Sequence, residues 1–106
     1  MFNLIPTETF KAPVKVQVAT KSGTWREESF NGIFLRTGED DRERLLALKN
    51  VELLREVLKD WEMVDEERKP VPFTPDNFEA FLKLTGAVRE ATLAYWNHNV
   101  GAKQKN

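Results

Sequence analysis

The chain has 106 residues, a formal net charge of −1 and no cysteine. A domain of this length can bury roughly 65% of its unfolded surface, so a genuine core is possible. The charge gives no overall attraction to nucleic acid or to an anionic membrane, and the lack of cysteine excludes disulfides and thiolate chemistry. No apolar run approaches membrane-spanning length, and residues 1–6 lack the pattern of a secretory signal. We therefore expect a single domain over residues 1–106 that works where it is made.

The first predicted element is an antiparallel β-hairpin within residues 1–36. Apolar and polar residues alternate through residues 10–18, which is the period of a half-buried strand. The turn that follows contains Gly23, which is free to adopt a positive φ. Residues 25–36 are rich in aromatic and branched side chains but alternate imperfectly. Gly32 is therefore a candidate bulge at which the apolar face changes.

Leucine and valine then recur at helical spacing through residues 40–61, in a strongly charged background. Asp40 or Asp41 is a candidate cap at the start of this region. Asn50 interrupts the pattern either as a second N-cap or as a tolerated interior residue. Two short helices and one long helix both fit this region.

A proline-containing link at residues 62–73 separates this region from a second helical region at residues 74–98. Gly86 costs roughly 1 kcal/mol relative to alanine inside a helix, so we expect a break or kink there. Residues 99–106 are polar, and we expect them to fray. The chain is thus predicted to be α+β, with an N-terminal antiparallel hairpin or small sheet followed by a helical half of three to four helices.

The second helical region has a well-defined predicted start. Thr74 can accept a hydrogen bond from a free backbone N–H one turn ahead, and Pro75 then occupies the first helical position, where its missing N–H costs nothing. Asp76 places negative charge near the positive end of the helix dipole. Phe73 and Phe78 have the spacing of a hydrophobic staple across this cap. These residues predict a stiff structural link, in which complete burial of Phe73 would make its removal cost about 3–5 kcal/mol.

No set of residues has the pattern of a catalytic or metal-binding site. His98 is the only histidine, and no carboxylate lies at helical spacing from it. The acidic runs at residues 40–41 and 65–67 favour helix capping and solvation over metal binding. Acidic residues also dilute the basic face of the hairpin, so nucleic acid is not an expected partner. We expect no enzyme activity, no cofactor and no metal.

The aromatic content is high for a chain of this size, with three tryptophans and seven phenylalanines. Most of these rings must form the core, because aromatic side chains dominate the free energy of burial. A small hairpin and short helices leave some of them as candidates for a binding surface. The candidate partner-binding residues are Trp25, Trp61, Tyr95 and Trp96.

Several of these segments recur together in one family. The pattern comprises F-x-A-P-V-x-V-x-V at residues 10–18, a strand near residues 25–35, an acidic leucine-rich helix ending in Trp61, V-D at residues 64–65, V-P-F-T at residues 71–74 and N-F at residues 77–78. In this order the chain resembles the tail assembly chaperones of long-tailed bacteriophages. The resemblance covers nearly the whole chain and is most specific at residues 61–78. One departure lies at residues 67–69, where the family pattern leads us to expect a glycine.

The resemblance implies a protein that binds rather than catalyses. Such chaperones hold the tape measure protein, a long and aggregation-prone helical chain, before tail tube subunits polymerise around it. They act in the bacterial host cytoplasm and are absent from the finished virion, and many have a second form extended by translational frameshifting. The tail tube protein and a second copy of the chain are further candidate partners. The alternatives are a structural tail or head-completion protein of a phage, or a small host protein-interaction adaptor.

Overall fold

A three-stranded sheet and four helices make up residues 2–99, which are the residues that the computed structural model describes. Strands β1 (Thr9–Ala19), β2 (Trp25–Leu35) and β3 (Leu58–Glu62) lie in the order β1-β2-β3, and both pairs are antiparallel. The predicted α+β class, with a small N-terminal sheet and a mostly C-terminal set of helices, is confirmed.

The hairpin between β1 and β2 closes at the predicted turn. Thr20 N donates to Thr24 O at 2.9 Å, and Gly23 N donates to Thr20 O at 3.1 Å. Gly23 has a φ of 85°, a conformation that glycine adopts without the steric cost of a Cβ. The alternation seen in the sequence puts Ala12 and Val14 in the core, at 0% and 1% exposure.

The irregularity predicted in β2 is real but is not a bulge at Gly32. Gly32 pairs in register with both neighbouring strands, and the shift falls between Ile33 and Phe34, where Lys59 of β3 is left without a partner. Gly32 serves packing instead. A Cβ built on it would lie 2.6 Å from the Phe34 ring, so the missing side chain makes room for that ring.

Two short helices precede β3. They are α1 (Glu39–Leu46) and α2 (Asn50–Val57), which matches the two-helix reading of this region. The helical prediction is wrong for residues 58–61, which belong to β3. A segment of five residues with two buried side chains fits a helix or a strand equally well, and pairing with β2 decides the outcome.

The predicted caps of the first two helices differ from those observed. Gly38 is the N-cap of α1 and makes no side-chain capping bond, whereas Asp40 and Asp41 lie inside the first turn, where their charge complements the helix dipole. Lys49 is the N-cap of α2, and Asn50 is the first residue of that helix. The acidic residues thus correctly indicated the region in which α1 begins, but neither of them is its N-cap.

Two further helices complete the fold. They are α3 (Pro75–Leu82) and α4 (Thr85–His98), so the break falls just before α4 and not at Gly86 itself, which lies in its first turn. The predicted fraying of residues 99–106 lies outside the described residues apart from Asn99, which caps α4. Within residues 2–99 no helix is both long and apolar enough to cross a membrane.

The core lies between the sheet and the helices. Helix α4 packs along β1, and α2 packs between α4 and the other two strands. Three rings pack together where β1, β2 and α4 meet: Phe34 is 5.6 Å from Phe10 and 5.8 Å from Tyr95 between ring centroids. The largest fully buried side chains come from the three strands and from α1, α2 and α4, namely Val14, Phe34, Leu45, Leu53, Leu54, Val57, Leu58 and Tyr95.

Two exposed ion pairs join successive helices. Arg44 Nη2 donates to Glu56 Oε2 at 2.9 Å between α1 and α2, and Arg55 Nη2 donates to Glu79 Oε1 at 2.8 Å between α2 and α3. Hydrogen bonds from the arginines are the main cause that lowers the pKa of Glu56 and of Glu79. Because these pairs are solvated, they contribute orientation more than stability.

Candidate functional site

Residues 61–78 are organised around Trp61, which is 6% exposed. Its ring lies edge-on to Phe73 at 4.7 Å and packs against Phe81 at 5.5 Å and Phe30 at 6.1 Å, between ring centroids. The indole Nε1 donates to Val71 O at 2.8 Å. We call this cluster, with Phe78, the aromatic joint. It attaches the proline-containing link to both the sheet and α3.

The start of α3 is built as predicted. Thr74 Oγ1 accepts from Asn77 N at 3.2 Å, and Pro75 occupies the first helical turn. The Phe73 and Phe78 rings lie 5.1 Å apart, which confirms the staple. Phe73 is only half-buried, however, so its truncation should cost less than the 3–5 kcal/mol expected for a fully buried ring.

A tight turn at residues 65–69 closes the link. Asp65 N donates to Lys69 O at 2.9 Å, and Asp65 Oδ1 accepts from Glu67 N and Lys69 N at 2.8 and 3.0 Å. Arg68 has a φ of 63° and is the one non-glycine residue with a positive φ within the described chain. The left-handed region favours glycine, since a Cβ there meets the following carbonyl oxygen.

Arg68→Gly is expected to raise the free energy of unfolding by about 0.5–1 kcal/mol. Relief of the left-handed conformation contributes about 1–2 kcal/mol, partly offset by the greater freedom of glycine in the unfolded chain. Chemical denaturation would measure the change. Glu67→Gly is the matched control, because it adds the same freedom to the same turn without relieving a positive φ. Equal destabilisation by both substitutions would contradict the strain at Arg68.

An open groove lies where β3 ends. The last pair between β2 and β3 joins Asn31 to Glu62, so residues 25–30 of β2 continue without a partner in β3. The link folds back beside this part of β2, held by the bond from Val71 N to Met63 O at 2.9 Å. The resulting space has a volume of about 610 Å³. We call it the link groove. Its apolar lining residues include Phe30, Trp61, Met63, Val64, Val71 and Phe73.

Three charged side chains border the link groove, and among residues 2–99 only Glu62 has an ion-pair partner. Glu62 accepts from Lys11 Nζ at 2.9 Å and from Asn31 Nδ2 at 3.3 Å, and these bonds lower its pKa. Asp60 Oδ1 accepts from the backbone N–H of Trp61 at 2.8 Å. Lys15 lines the groove and forms no ion pair with any residue in the range 2–99.

Both outer edges of the sheet carry features that discourage pairing with another strand. The backbone hydrogen bonds at the two ends of the hairpin show that the N–H and C=O groups of the even-numbered residues of β1 point toward β2. Pro13 therefore faces the free edge, where it offers no N–H, and the exposed Lys11 and Lys15 flank it. On the other edge, which is formed by β3, the Trp61 N–H donates to the Asp60 carboxylate and is not available to another strand. An approaching strand would therefore lack one backbone donor at Pro13 and one at Trp61.

The four aromatic side chains predicted to bind a partner do not form one surface. Trp61 and Tyr95 are core residues, at 6% and 0% exposure. Trp96 is half-buried against Tyr95, with ring centroids 5.0 Å apart. Trp25 alone is largely exposed, at 69%, where β2 begins. Trp61 also lines the link groove, whose other lining residues were not among the predicted partner-binding residues, above all Val64, which is 58% exposed.

Tyr95 has a structural environment rather than a reactive one. Its hydroxyl shares a short hydrogen bond with Thr37 Oγ1, and Thr37 N donates to Asn99 Oδ1 at 3.0 Å. Burial raises the pKa of the Tyr95 phenol, and the bond to Thr37 opposes that shift. This network holds the segment before α1 against the end of α4.

Candidate metal ligands do not converge in the part of the chain that the structure describes. No three histidine, aspartate or glutamate side chains of residues 2–99 lie close enough together to hold a metal ion. His98 Nδ1 lies 2.9 Å from Ala94 O on its own helix. Comparisons with models of protein families, with curated proteins and with solved structures found no match.

Proposed function

We propose that this protein is a phage tail assembly chaperone that binds the tape measure protein during tail morphogenesis. The proposal starts from the ordered motifs of the sequence, which resemble that family most specifically at residues 61–78. In the structure these residues form one unit, since Trp61, Phe73 and Phe78 pack together in the aromatic joint. The aromatic residues of this motif thus depend on one another for their packing.

The observation that carries the proposal is the backbone of Arg68. The family pattern leads us to expect a glycine within residues 67–69, where this chain has none. The structure puts Arg68 of this stretch at a φ of 63°, the conformation for which glycine is favoured. A glycine in the family pattern and a left-handed residue in this chain therefore fall at the same turn, which supports the same loop geometry in both.

The surface of the protein is compatible with holding another chain for a limited time. The link groove exposes apolar side chains, while Pro13 and the Asp60 carboxylate each remove one backbone donor from an outer edge of the sheet. Groove-type recognition through side chains suits a helical partner, and several copies along one long partner gain avidity from weak individual contacts. A chaperone that must later leave the tail benefits from contacts of this kind.

Co-expression with the tape measure protein of the same phage tests the proposal. We expect the tape measure protein to stay soluble and to co-purify with the chain, because its apolar stripes are covered. A tagged protein of similar size and charge is the control for expression effects. A tape measure protein that aggregates equally with and without the chain, in its short and its extended form, would refute the proposal.

Mass spectrometry of purified virions separates the chaperone from its closest alternative. A chaperone is displaced before the tail is complete, so we expect no peptide of the chain in mature particles. Peptides at the abundance of tail proteins would instead assign the chain to the structural components of the tail or head.

A further inference from the structure

The geometry points to the link groove as the contact surface for the tape measure protein, and to a segment with apolar side chains beside a carboxylate as its occupant. This inference rests on the proposed function and adds the surface and the chemistry of the partner. It begins with the shape of the site. A volume of about 610 Å³ lies within the usual range of binding sites, and its lining is mainly aromatic and aliphatic.

The available cation at the link groove bears on the choice of partner. Glu62 pairs with Lys11, whereas Asp60 accepts one backbone N–H and keeps its negative charge. Lys15 is the one cation that lines the groove, and it has no ion-pair partner within residues 2–99. A partner that places an aspartate or glutamate next to its apolar side chains would pair with Lys15 while it fills the groove.

The groove also has the most accessible apolar residue of residues 61–78. Val64 is 58% exposed, although it forms an isolated β-bridge with Pro70 and lies three residues after the buried Trp61. The other exposed large apolar side chains outside the N-terminal segment lie on or next to helices or at the start of β2, including Leu46 and Leu93. Scattered exposed apolar residues are normal on a protein surface, whereas Val64 belongs to a concave apolar site.

The N-terminal segment of the chain is the main rival occupant. Phe2, Leu4 and Ile5 are 84%, 84% and 83% exposed, so the arm of the same or a second copy could supply apolar side chains. It carries no acidic residue before Glu8, however, and would leave Lys15 unpaired. The unpaired Lys15 therefore favours an acidic partner segment over the arm.

Two substitutions and two matched controls test the assignment with the full-length chain and tiled peptides of the tape measure protein. Val64→Glu places a charge in the groove, and Lys15→Glu reverses its available cation. We expect each to weaken binding of the best peptide by about 10-fold or more, measured by calorimetry. Leu93→Glu and Lys21→Glu make the same changes on α4 and in the hairpin turn, and we expect them to bind within about 2-fold of wild type. Unchanged thermal unfolding verifies that all four variants fold.

The outcomes separate this inference from the proposed function. If wild type binds no tape measure peptide or protein, both fail. If wild type binds and the groove variants bind equally well, only the groove assignment is overturned. A wild-type dimer that Val64→Glu converts to a monomer would assign the groove to a second copy. Loss of binding on deletion of residues 2–6, with Val64→Glu still active, would assign the contact to the arm.

Discussion

Trp61→Ala is expected to lower the free energy of unfolding by about 3–5 kcal/mol, the usual range for removal of a buried aromatic ring. The indole is 6% exposed and touches rings from β2, the link and α3. Its loss opens a cavity and leaves the Val71 carbonyl without its partner at 2.8 Å. Because a domain of this size has a total stability of about 5–15 kcal/mol, the variant should lose a large share of its stability.

Urea denaturation followed by circular dichroism would measure this change. Trp25→Ala is the matched control, since the same residue type is removed from a site that is 69% exposed. We expect it to change stability by less than about 0.5 kcal/mol. A loss below about 1 kcal/mol for Trp61→Ala would contradict the role of the aromatic joint in joining the sheet to α3.

Gly32→Ala is expected to lower the free energy of unfolding by about 1–3 kcal/mol, as overpacking of a core does. The added methyl would lie 2.6 and 2.8 Å from two atoms of the Phe34 ring. That ring is fully buried and is held by Phe10 and Tyr95, so it has no open space into which to move. The substitution therefore shifts either the strand or the stacked rings.

Gly38→Ala is the control for this substitution, because nothing lies within 4 Å of a Cβ built at Gly38 and its φ of −95° suits any residue. Gly38 is the N-cap of α1, where glycine is preferred to alanine, so we expect a loss of no more than about 1 kcal/mol. Thermal unfolding of both variants gives the comparison. Equal melting temperatures for Gly32→Ala, Gly38→Ala and wild type would show that the Phe34 ring has room that the structure does not show.

Local signals in the sequence predicted local structure well. The alternation in residues 10–18, the glycine of the hairpin turn and the cap of α3 each depend on residues within one turn of each other. Thr74, Pro75 and the Phe73–Phe78 staple all occupy the predicted positions. These elements were predictable because hydrogen bonds and rings within a few residues decide their geometry.

Structure that depends on distant pairing was not predictable in the same way. Residues 58–61 continue a helical apolar pattern, yet they pair with β2 and form β3. Trp61 and Tyr95 were candidates for a surface because the sequence does not show how much area the sheet and α4 can cover. The structure buries both of them. Both features are decided by long-range contacts, which the spacing of residues in the sequence does not reveal.

The link groove could not be derived from the sequence for a related reason. It exists because β3 stops at Glu62 while β2 continues, and because the link turns back at residues 65–69. Val64 and Lys15 are far apart in the chain and carry no motif that joins them. One signal was present, since the glycine expected within residues 67–69 marked a turn with unusual backbone geometry.

Site-specific photocrosslinking at position 64 tests the central claim most directly. Val64 would be replaced by a photoreactive phenylalanine analogue in the full-length chain, and Leu93 in a matched control, during co-expression with the tape measure protein. Both positions are exposed, at 58% and 48%, so neither replacement disturbs the core. The account predicts a covalent adduct with the tape measure protein from position 64 and none from position 93. An adduct from position 93 alone, or adducts only between two copies of the chain, would contradict it.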